Sequence, residues 1–315
     1  MTTVAPARPR HLLQISDLDA DELVALLNLA ETMKHHPGGW LQSHHADTLV
    51  TLFEKPSTRT RVSFAAAAHR LGMLPLVLRD DELQLGRGET IADTARVLSG
   101  YAAAIAVRTF TQERLEELAE AASVPVINAL SDQHHPCQAL ADLLTLREHF
   151  HTLRGLKLAY VGDGNNVAHS LLQAGALAGM HVAIASPFDH RPDPDILDEA
   201  TLAAEAQGGS VTMTADPGAA VQDAHAVYTD VWVSMGDEAT ARQRRTDLAA
   251  YAVTESLMAQ ASSRAVFLHC LPAHRGEEVE AAVIDGPQSL VFAQAANRLP
   301  TEQALIHWTI QGGRC

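Results

Sequence analysis

Apolar residues near the N-terminus of the chain recur at the spacing of one helix face. They follow an acidic start at residues 19–22. The positions concerned are Leu23, Leu26, Leu27, Ala30 and Met33. Because an α-helix turns once in about 3.6 residues, this spacing places the side chains on one stripe. The pattern predicts an amphipathic helix as the first clear element of the fold.

Short apolar runs and helix-like stretches then alternate through the first half of the chain. The strand-like runs lie at residues 48–53, 74–78, 103–107 and 124–128. The helix-like stretches lie at residues 58–71, 89–101, 112–122 and 137–150. This alternation is typical of a parallel sheet whose strands are joined by crossover helices.

The second half of the chain repeats the alternation. Its strand-like runs lie at residues 157–162, 181–186, 210–214, 225–230 and 265–270. We therefore predict an α/β fold with two domains, at residues 1–150 and 151–315, each a parallel β-sheet flanked by helices. The last helix, at residues 288–310, is expected to return to the first domain.

Composition and charge exclude several classes of partner. The 315 residues carry 23 Lys plus Arg against 38 Asp plus Glu, a formal net charge of −15, which repels nucleic acid and anionic lipid. The chain has no apolar stretch of the roughly 18 residues that a membrane span needs. The three cysteines, Cys137, Cys270 and Cys315, are odd in number and widely spaced, so we do not expect a disulfide framework. We predict a cytoplasmic protein that binds neither membrane nor nucleic acid.

Polar segments follow most of the predicted strands. They read KPSTRTR, VRTF, NALSDQHHPCQ, VGDGNN, TDVWVSMGD and HCLPAHRGEE. In open parallel α/β sheets, ligands bind beyond the carboxyl ends of the strands, where loops and helix N-termini converge. These segments are therefore the candidates for a binding site.

The first polar segment suits a phosphate group. Ser57, Thr58, Arg59 and Thr60 lie between a strand and a helix, so hydroxyls, a guanidinium and the backbone N–H groups of the helix could face one anion. A hydroxyl-rich helix cap with solvated arginines is the alternative interpretation.

An arginine and a histidine follow other strands at the same predicted edge. Arg108 ends the strand at 103–107, and His135 precedes a helix. Such donors can stabilise a carbonyl oxygen that gains negative charge, which is often the largest catalytic effect. The chain has 17 histidines, however, so a structural role for His135 stays open.

The VGDGNN segment resembles a dinucleotide-binding turn but lacks its third glycine, since Val167 stands at that position. The adjacent amides of Asn165 and Asn166 suit a polar ligand such as an amino-acid carboxylate. A polar turn that caps the next helix is the alternative.

Two later segments add a carboxylate and a thiol. Asp230 could clamp an ammonium group, with an exposed Trp232 and Ser234 in the loop that follows. Cys270 lies before Leu271-Pro272, whose peptide bond could be cis. A metal site at Cys270 is disfavoured, because the chain has no C-x-x-C pair or recurrent ligand spacing. A thiol nucleophile is disfavoured because a thiol hydrolase would not require the whole set of anion-binding segments. We predict no metal and no cofactor.

Taken together, these motifs resemble the aspartate and ornithine carbamoyltransferase family. The matching motifs are S-T-R-T-R, the strand-end arginine, H-P-x-Q, H-C-L-P and a C-terminal N-R, in the family's order and across nearly the whole chain. D-G-N-N, D-x-W-x-S-M-G and H-C-L-P-A-H-R-G are similar to the branch that uses ornithine. The resemblance implies transfer of the carbamoyl group of carbamoyl phosphate to the ornithine δ-amine, which gives citrulline in arginine biosynthesis.

The resemblance also implies roles for individual residues. Catalytic roles fall to Arg108, His135, Cys270 and Arg298. Contacts to carbamoyl phosphate fall to Ser57, Thr58, Arg59, Thr60, Gln84, Arg108, His135, Gln138, Cys270, Leu271 and Arg298. Ornithine contacts fall to Asn166, Asp230, Ser234 and Met235. Members of the family form trimers in which a loop completes the neighbouring site, so we expect a homotrimer or a multiple of trimers, with Gln84 in that loop.

The chain departs from the family pattern beside its motifs. Ala65 stands where an acidic residue is common, and Gln294 and Ala296 stand where glutamates are common. These changes leave room for another acceptor, such as putrescine or an N-acylated ornithine. A nicotinamide oxidoreductase and a catalytically silent binding protein are the hypotheses from other classes.

Overall fold

A computed structural model of the protein describes residues 9–82, 88–234 and 238–314. The chain divides into two compact units. The first unit lies within Met1–Leu18, Ala25–Pro136 and Leu299–Cys315. The second unit lies within Asp19–Val24 and Cys137–Arg298.

The first unit is built on a parallel sheet of four strands in the order β2-β1-β3-β4. The strands are β1 (Thr48–Phe53), β2 (Leu74–Arg79), β3 (Ala104–Arg108) and β4 (Val126–Leu130). The helices in this part of the chain are α1 (Ala20–His35), α2 (Thr58–Arg70), α3 (Ile91–Ser99) and α4 (Gln112–Ala121).

The second unit is built on a parallel sheet of five strands in the order β7-β6-β5-β8-β9. The strands are β5 (Lys157–Val161), β6 (His181–Ala185), β7 (Ser210–Thr214), β8 (Ala226–Thr229) and β9 (Val266–His269). The helices from residue 136 onward are α5 (Pro136–Phe150), α6 (Asn166–Leu177), α7 (Pro194–Gln207), α8 (Pro217–Val221), α9 (Ala241–Leu248), α10 (Glu255–Met258), α11 (Ala281–Ile284) and α12 (Val291–Ile310).

Each sheet is flanked by its own apolar core. Side chains of Val50, Ile105 and Val126 belong to one buried cluster, and those of Val161 and Phe267 belong to another. Burying this apolar surface is the main favourable term in folding, at about 25 cal/mol per Å². The near-continuous apolar strands are those expected of parallel sheets that are covered on both faces.

The predicted fold class is confirmed. Both sheets are parallel, helices alternate with the strands, and Leu299–Cys315 of the C-terminal helical region falls in the first unit, as predicted for a returning helix. Among the described residues, no helix combines the length and apolar character needed to cross a membrane.

The strand β2 differs from its neighbours because it lies at an edge of the first sheet. Leu74 is 55% exposed and Leu76 is 42% exposed, whereas the side chains of β1 and β3 are largely buried. An exposed apolar edge strand is a surface on which another chain can pack.

Candidate functional site

The carboxyl ends of β1, β3 and β4 meet at one edge of the first sheet, because the three strands are adjacent and parallel. Ser57 follows β1 and caps α2, and its hydroxyl accepts the N–H of Thr60 over 3.3 Å. Thr58 and Arg59 are exposed in the first turn of α2, and Thr60 is buried. Helix N-termini carry N–H groups without an intrahelical acceptor, so this turn suits an anion.

Arg108 and His135 are buried at the same sheet edge. Arg108 is the last residue of β3 and pairs with Phe53 of β1, and it is 7% exposed. His135 lies between β4 and α5 and is 6% exposed. Burial lowers the effective dielectric around both donors, which strengthens their interaction with a negatively charged oxygen.

Glu54 fixes the backbone on which Arg108 stands. Its N–H donates to the carbonyl of Arg108 over 2.9 Å, and its carboxylate accepts from the Thr109 hydroxyl. The same carboxylate accepts from Arg114 Nη2 over 2.6 Å. The end of β1 is therefore tied to the end of β3, which limits the positions open to the Arg108 side chain.

A buried network supports the segment before His135. The Ser131 hydroxyl accepts the N–H of His134 over 3.1 Å and donates to Gln112 Oε1 over 2.7 Å. Asn128 donates to the same hydroxyl over 3.2 Å. The sequence interpretation assigned no function to Asn128, Ser131 or Gln112. Asn128 and Ser131 lie in the polar segment that precedes the histidines. The sequence therefore marked this segment as a candidate, but it did not indicate a role for these two residues.

The ends of β5, β8 and β9 lie side by side in the second sheet, and they place a carboxylate between two partners. Asp230 follows β8 and is 5% exposed. Asn165 Nδ2 donates to Asp230 Oδ2 over 2.9 Å, and Cys270 Sγ donates to Asp230 Oδ1 over 2.8 Å. Asp230 and Cys270, which the sequence analysis selected separately, are thus in direct contact.

The turn after β5 has a structural reason for its glycines. A Cβ on Gly164 would lie 2.3 Å from the nitrogen of Pro192, and Gly162 has a φ of +141°. Asn165 caps α6 by accepting the N–H groups of Val167 and Ala168. The turn therefore both caps a helix and holds Asp230, and Asn166 begins the helix beside it.

In the loop after β8, the burial of one side chain differs from the prediction. Trp232 was predicted to be exposed, and this is wrong, since the side chain is 5% exposed. Its carbonyl accepts from Arg244 Nε over 3.1 Å. Ser234 is half-buried. Two further predicted contacts, Gln84 and Met235, lie outside the described residues.

The segment after β9 has a constrained backbone. The Leu271-Pro272 peptide bond is cis, and Leu271 has a φ of +58°, in the left-handed region that L-residues avoid. His269 Nδ1 accepts the Leu271 N–H over 2.8 Å, and His269 Nε2 lies 3.4 Å from the buried carboxylate of Glu278. A residue held in the left-handed region costs of order 1–3 kcal/mol and is frequent at functional sites.

Gln138 and Arg298 belong to a buried hydrogen-bond network in the second unit. Arg298 Nη1 donates to Gln138 Oε1 over 3.0 Å, and Gln138 Nε2 donates to Asp142 Oδ1 over 2.7 Å. Gln294 Nε2 donates to the same oxygen over 2.7 Å. An acceptor on one side and a donor on the other leave one orientation for the Gln138 amide. The sequence interpretation missed Asp142, because it stands in an otherwise apolar helix pattern.

Burial raises the pKa of Asp142 to about 7. Hydrogen bonds from Gln138, Gln294 and Tyr228 and the charge of Arg298 oppose the effect of burial without cancelling it. The carboxyl therefore keeps its proton in the folded protein over a pH range in which the unfolded chain has released it.

Within the described residues, two groups of side chains contain atoms that could bind a metal ion. They are Asp230 with His269 and Cys270, and His274 with Glu277 and Glu278. In the first group both Asp230 oxygens already accept hydrogen bonds, and His269 Nδ1 accepts from Leu271. Hydrogen bonding thus accounts for these contacts, and the absence of a metal remains a prediction.

The raised pKa of Asp142 predicts a specific pH dependence of stability. Between about pH 4 and pH 7 only the folded state holds this proton, so the contribution of Asp142 to the free energy of unfolding should fall as the pH rises, by of order 4 kcal/mol in total. Asp142→Asn should therefore gain stability relative to the unchanged protein from pH 5 to pH 8 in urea unfolding.

Asp285→Asn is the matched control, because Asp285 is an exposed carboxylate paired with Arg275 and its pKa is lowered by that hydrogen bond. Its effect on stability should be constant between pH 5 and pH 8. A stability difference for Asp142→Asn that is equally constant would contradict the prediction.

Two sequence models that share one family description match the chain. The model of the aspartate/ornithine carbamoyltransferase carbamoyl-P binding domain matches residues 10–148. The model of the aspartate/ornithine carbamoyltransferase Asp/Orn binding domain matches residues 154–309.

Individual proteins match over nearly their whole length. The chain is 51% identical over 307 residues to the ornithine carbamoyltransferase of Acidothermus cellulolyticus, covering 97% of this chain and 98% of that protein. It is 51% identical over 302 residues to that of Bacillus subtilis, covering 94% and 92%. The solved structure of ornithine carbamoyltransferase from Pyrococcus furiosus matches with a TM-score of 0.93 at 47% identity, covering 99% of this chain and 100% of that chain.

Proposed function

This chain belongs to the aspartate/ornithine carbamoyltransferase family, and we propose that it transfers the carbamoyl group of carbamoyl phosphate to the δ-amine of L-ornithine. The products are L-citrulline and phosphate, in arginine biosynthesis. Relatives that carry the name ornithine carbamoyltransferase are about half identical to it over nearly the whole chain. The observation that carries the proposal within the structure is Asp230, held between Asn165 and Cys270 at a sheet edge.

Each half of the chain is proposed to bind one of the two substrates. Residues 1–150 are proposed to bind carbamoyl phosphate, and residues 151–315 are proposed to bind ornithine. The descriptions of the two matching family models support this assignment.

Carbamoyl phosphate carries a dianionic phosphate and a carbonyl group, and the proposed site offers donors for both. The start of α2, with Ser57 and Thr60, and the guanidinium of Arg59 would receive the phosphate. Arg108 and His135 would donate to the carbonyl oxygen. The remaining proposed contacts are Thr58, Gln84, Gln138, Cys270, Leu271 and Arg298.

Ornithine carries an α-carboxylate, an α-ammonium and a δ-amine. The carboxylate of Asp230 supplies the negative charge that an ammonium requires, and Asn166 and Ser234 supply neutral donors and acceptors. Met235 completes the proposed set. Putrescine lacks the α-carboxylate but keeps a second ammonium that could pair with Asp230, so it would leave only the partners of the carboxylate without a role.

The proposed chemistry proceeds by direct attack. The neutral δ-amine forms a bond with the carbonyl carbon, a tetrahedral oxyanion develops, and the bond to the phosphate oxygen breaks so that phosphate leaves with the electron pair. Thr60, Arg108 and His135 would stabilise the oxyanion, and fixed donors of this kind are worth about 10²–10³-fold in rate. The amine proton must be removed. The Asp230 carboxylate could accept it directly, or Cys270 could accept it after passing its own proton to Asp230.

The acceptor preference tests the proposed function directly. Purified protein with carbamoyl phosphate should form a carbamoylated product fastest with ornithine, compared with putrescine, N-acetylornithine and aspartate in parallel. Citrulline with phosphate should give the reverse reaction. Faster turnover of another amine would refute the acceptor assignment, and no turnover with any amine would refute transfer.

The role of Arg108 predicts a loss of rate. Arg108→Met should lower kcat by about 10²–10³-fold, because a preorganised donor to the oxyanion is lost. Arg96→Met is the control, since Arg96 is an exposed residue of α3 whose side chain pairs with Asp93. Steady-state kinetics with saturating substrates would show the difference, and equal kcat values for the two variants would argue against the role.

We also propose a homotrimer or a multiple of trimers. The exposed apolar residues of the edge strand β2 support a chain-to-chain contact at that surface. The cytoplasmic location remains a prediction.

A charge on the edge strand should disturb this assembly. Leu76→Lys should lower the molar mass measured by size exclusion with light scattering toward the 33.8 kDa of one chain. Leu202→Lys places the same charge at an exposed leucine of α7 and should leave the mass unchanged. An unchanged mass for Leu76→Lys would show that β2 is not the contact surface.

A further inference from the structure

A charged residue of α9 joins two segments that carry the proposed ornithine contacts. Arg244 Nη2 donates to Asp163 Oδ2 over 2.6 Å, in the turn after β5 that leads to Asn165 and Asn166. Arg244 Nε donates to the carbonyl of Trp232 over 3.1 Å, in the segment that leads from Asp230 to Ser234. One guanidinium thus contacts the backbone of one segment and a side chain of the other.

The surroundings of Arg244 make these contacts matter more than a surface ion pair. The Asp163 side chain is 7% exposed and the Arg244 side chain is 19% exposed. Removing one partner of a largely buried pair leaves the other charge without compensation, so the loss is larger than for an exposed surface pair. The Trp232 side chain is itself buried, so its carbonyl has a defined position.

A histidine and a second carboxylate complete the network. His190 Nδ1 lies 3.5 Å from Asp163 Oδ1, and His190 Nε2 lies 3.0 Å from Asp247 Oδ2. The hydrogen bond to Asp163 raises the pKa of His190. Asp163 therefore accepts from Arg244 at one oxygen and lies beside His190 at the other, and Asp247, three residues after Arg244, fixes α9 to the same cluster.

The shape of guanidinium suits this role. Its N–H groups lie in one plane and point in fixed directions, so Nε and Nη2 reach two acceptors at once. A lysine ammonium is a single centre and cannot span the two acceptors in the same geometry. The network uses none of the residues proposed to contact substrate.

We propose that Arg244 is a positioning residue for ornithine. It holds the segment from Asp230 to Ser234 at a fixed position relative to the turn that carries Asn166. This inference rests on the proposed function, because it concerns affinity for the acceptor. It assigns the two ornithine-binding segments a common support that lies outside the site itself.

The test compares Arg244→Met and Arg244→Lys with Arg245→Met. Arg245 is the matched control, since it is the next residue of α9 and its ion pair with Glu277 is exposed. Arg244→Met should raise the KM for ornithine by about 10–100-fold and leave the KM for carbamoyl phosphate within about twofold. Arg244→Lys should give an intermediate or equal loss, and Arg245→Met should match the unchanged protein.

A second measurement does not depend on turnover. Hydrogen–deuterium exchange of residues 230–234 should be faster in Arg244→Met than in Arg245→Met, because the support of the Trp232 carbonyl is lost. Equal exchange in the two variants would overturn the inference. So would an equal rise in both KM values, which indicates a general loss of structure.

The two proposals fail in different ways. If the unchanged protein uses no ornithine, the proposed function is wrong, and the exchange measurement alone then decides whether Arg244 supports this segment. If ornithine is used and its KM does not change in Arg244→Met, the proposed function stands and the inference about Arg244 is wrong.

Discussion

A buried carboxylate needs a hydrogen-bond donor at both of its oxygens. At Asp230 this requirement determines how the carboxyl ends of neighbouring strands in the second sheet are arranged. Asn165 satisfies one oxygen and Cys270 the other, so the ends of β5, β8 and β9 are fixed to one another. The turn after β5 can supply Asn165 only because Gly164 fits against Pro192. The same turn contributes Asp163, whose carboxylate accepts a hydrogen bond from Arg244. The geometry proposed for ornithine thus depends on one satisfied acidic group.

The first unit meets the same requirement with other residues. Arg108 and His135 are buried, and the backbone beside each is fixed by a neighbouring residue. The Glu54 N–H donates to the Arg108 carbonyl, and the Ser131 hydroxyl accepts the N–H of His134. Neither supporting residue is proposed to touch the substrate. A carbonyl oxygen in a transition state gains most from donors that need not reorganise, so the supporting hydrogen bonds are part of the proposed catalysis.

Periodicity predicted the elements well because strands buried on both faces and amphipathic helices leave distinct patterns. The strand at 48–53 and the helix from Thr58 agree with the structure closely. The order of the strands could not be predicted, since it depends on long-range pairing that no local pattern records. Trp232 shows another limit. Its neighbours indicate a loop, and the burial of its side chain depends on tertiary packing that no local pattern records.

Gln294 stands where the resemblance leads us to expect a glutamate, and its contacts show how an amide can serve at this position. A glutamate there would bring a second carboxyl group against Asp142, and two buried carboxyl groups at hydrogen-bond distance must share a proton. The amide of Gln294 donates to Asp142 and to the Tyr228 hydroxyl, and it accepts the N–H of His269 over 3.0 Å. Because an amide does not ionise, Gln294 makes these contacts without competing with Asp142 for a proton. Asp142 accepts a hydrogen bond from Gln138, and Gln138 accepts one from Arg298. The hydrogen bonds that support Arg298 are therefore present with glutamine at position 294.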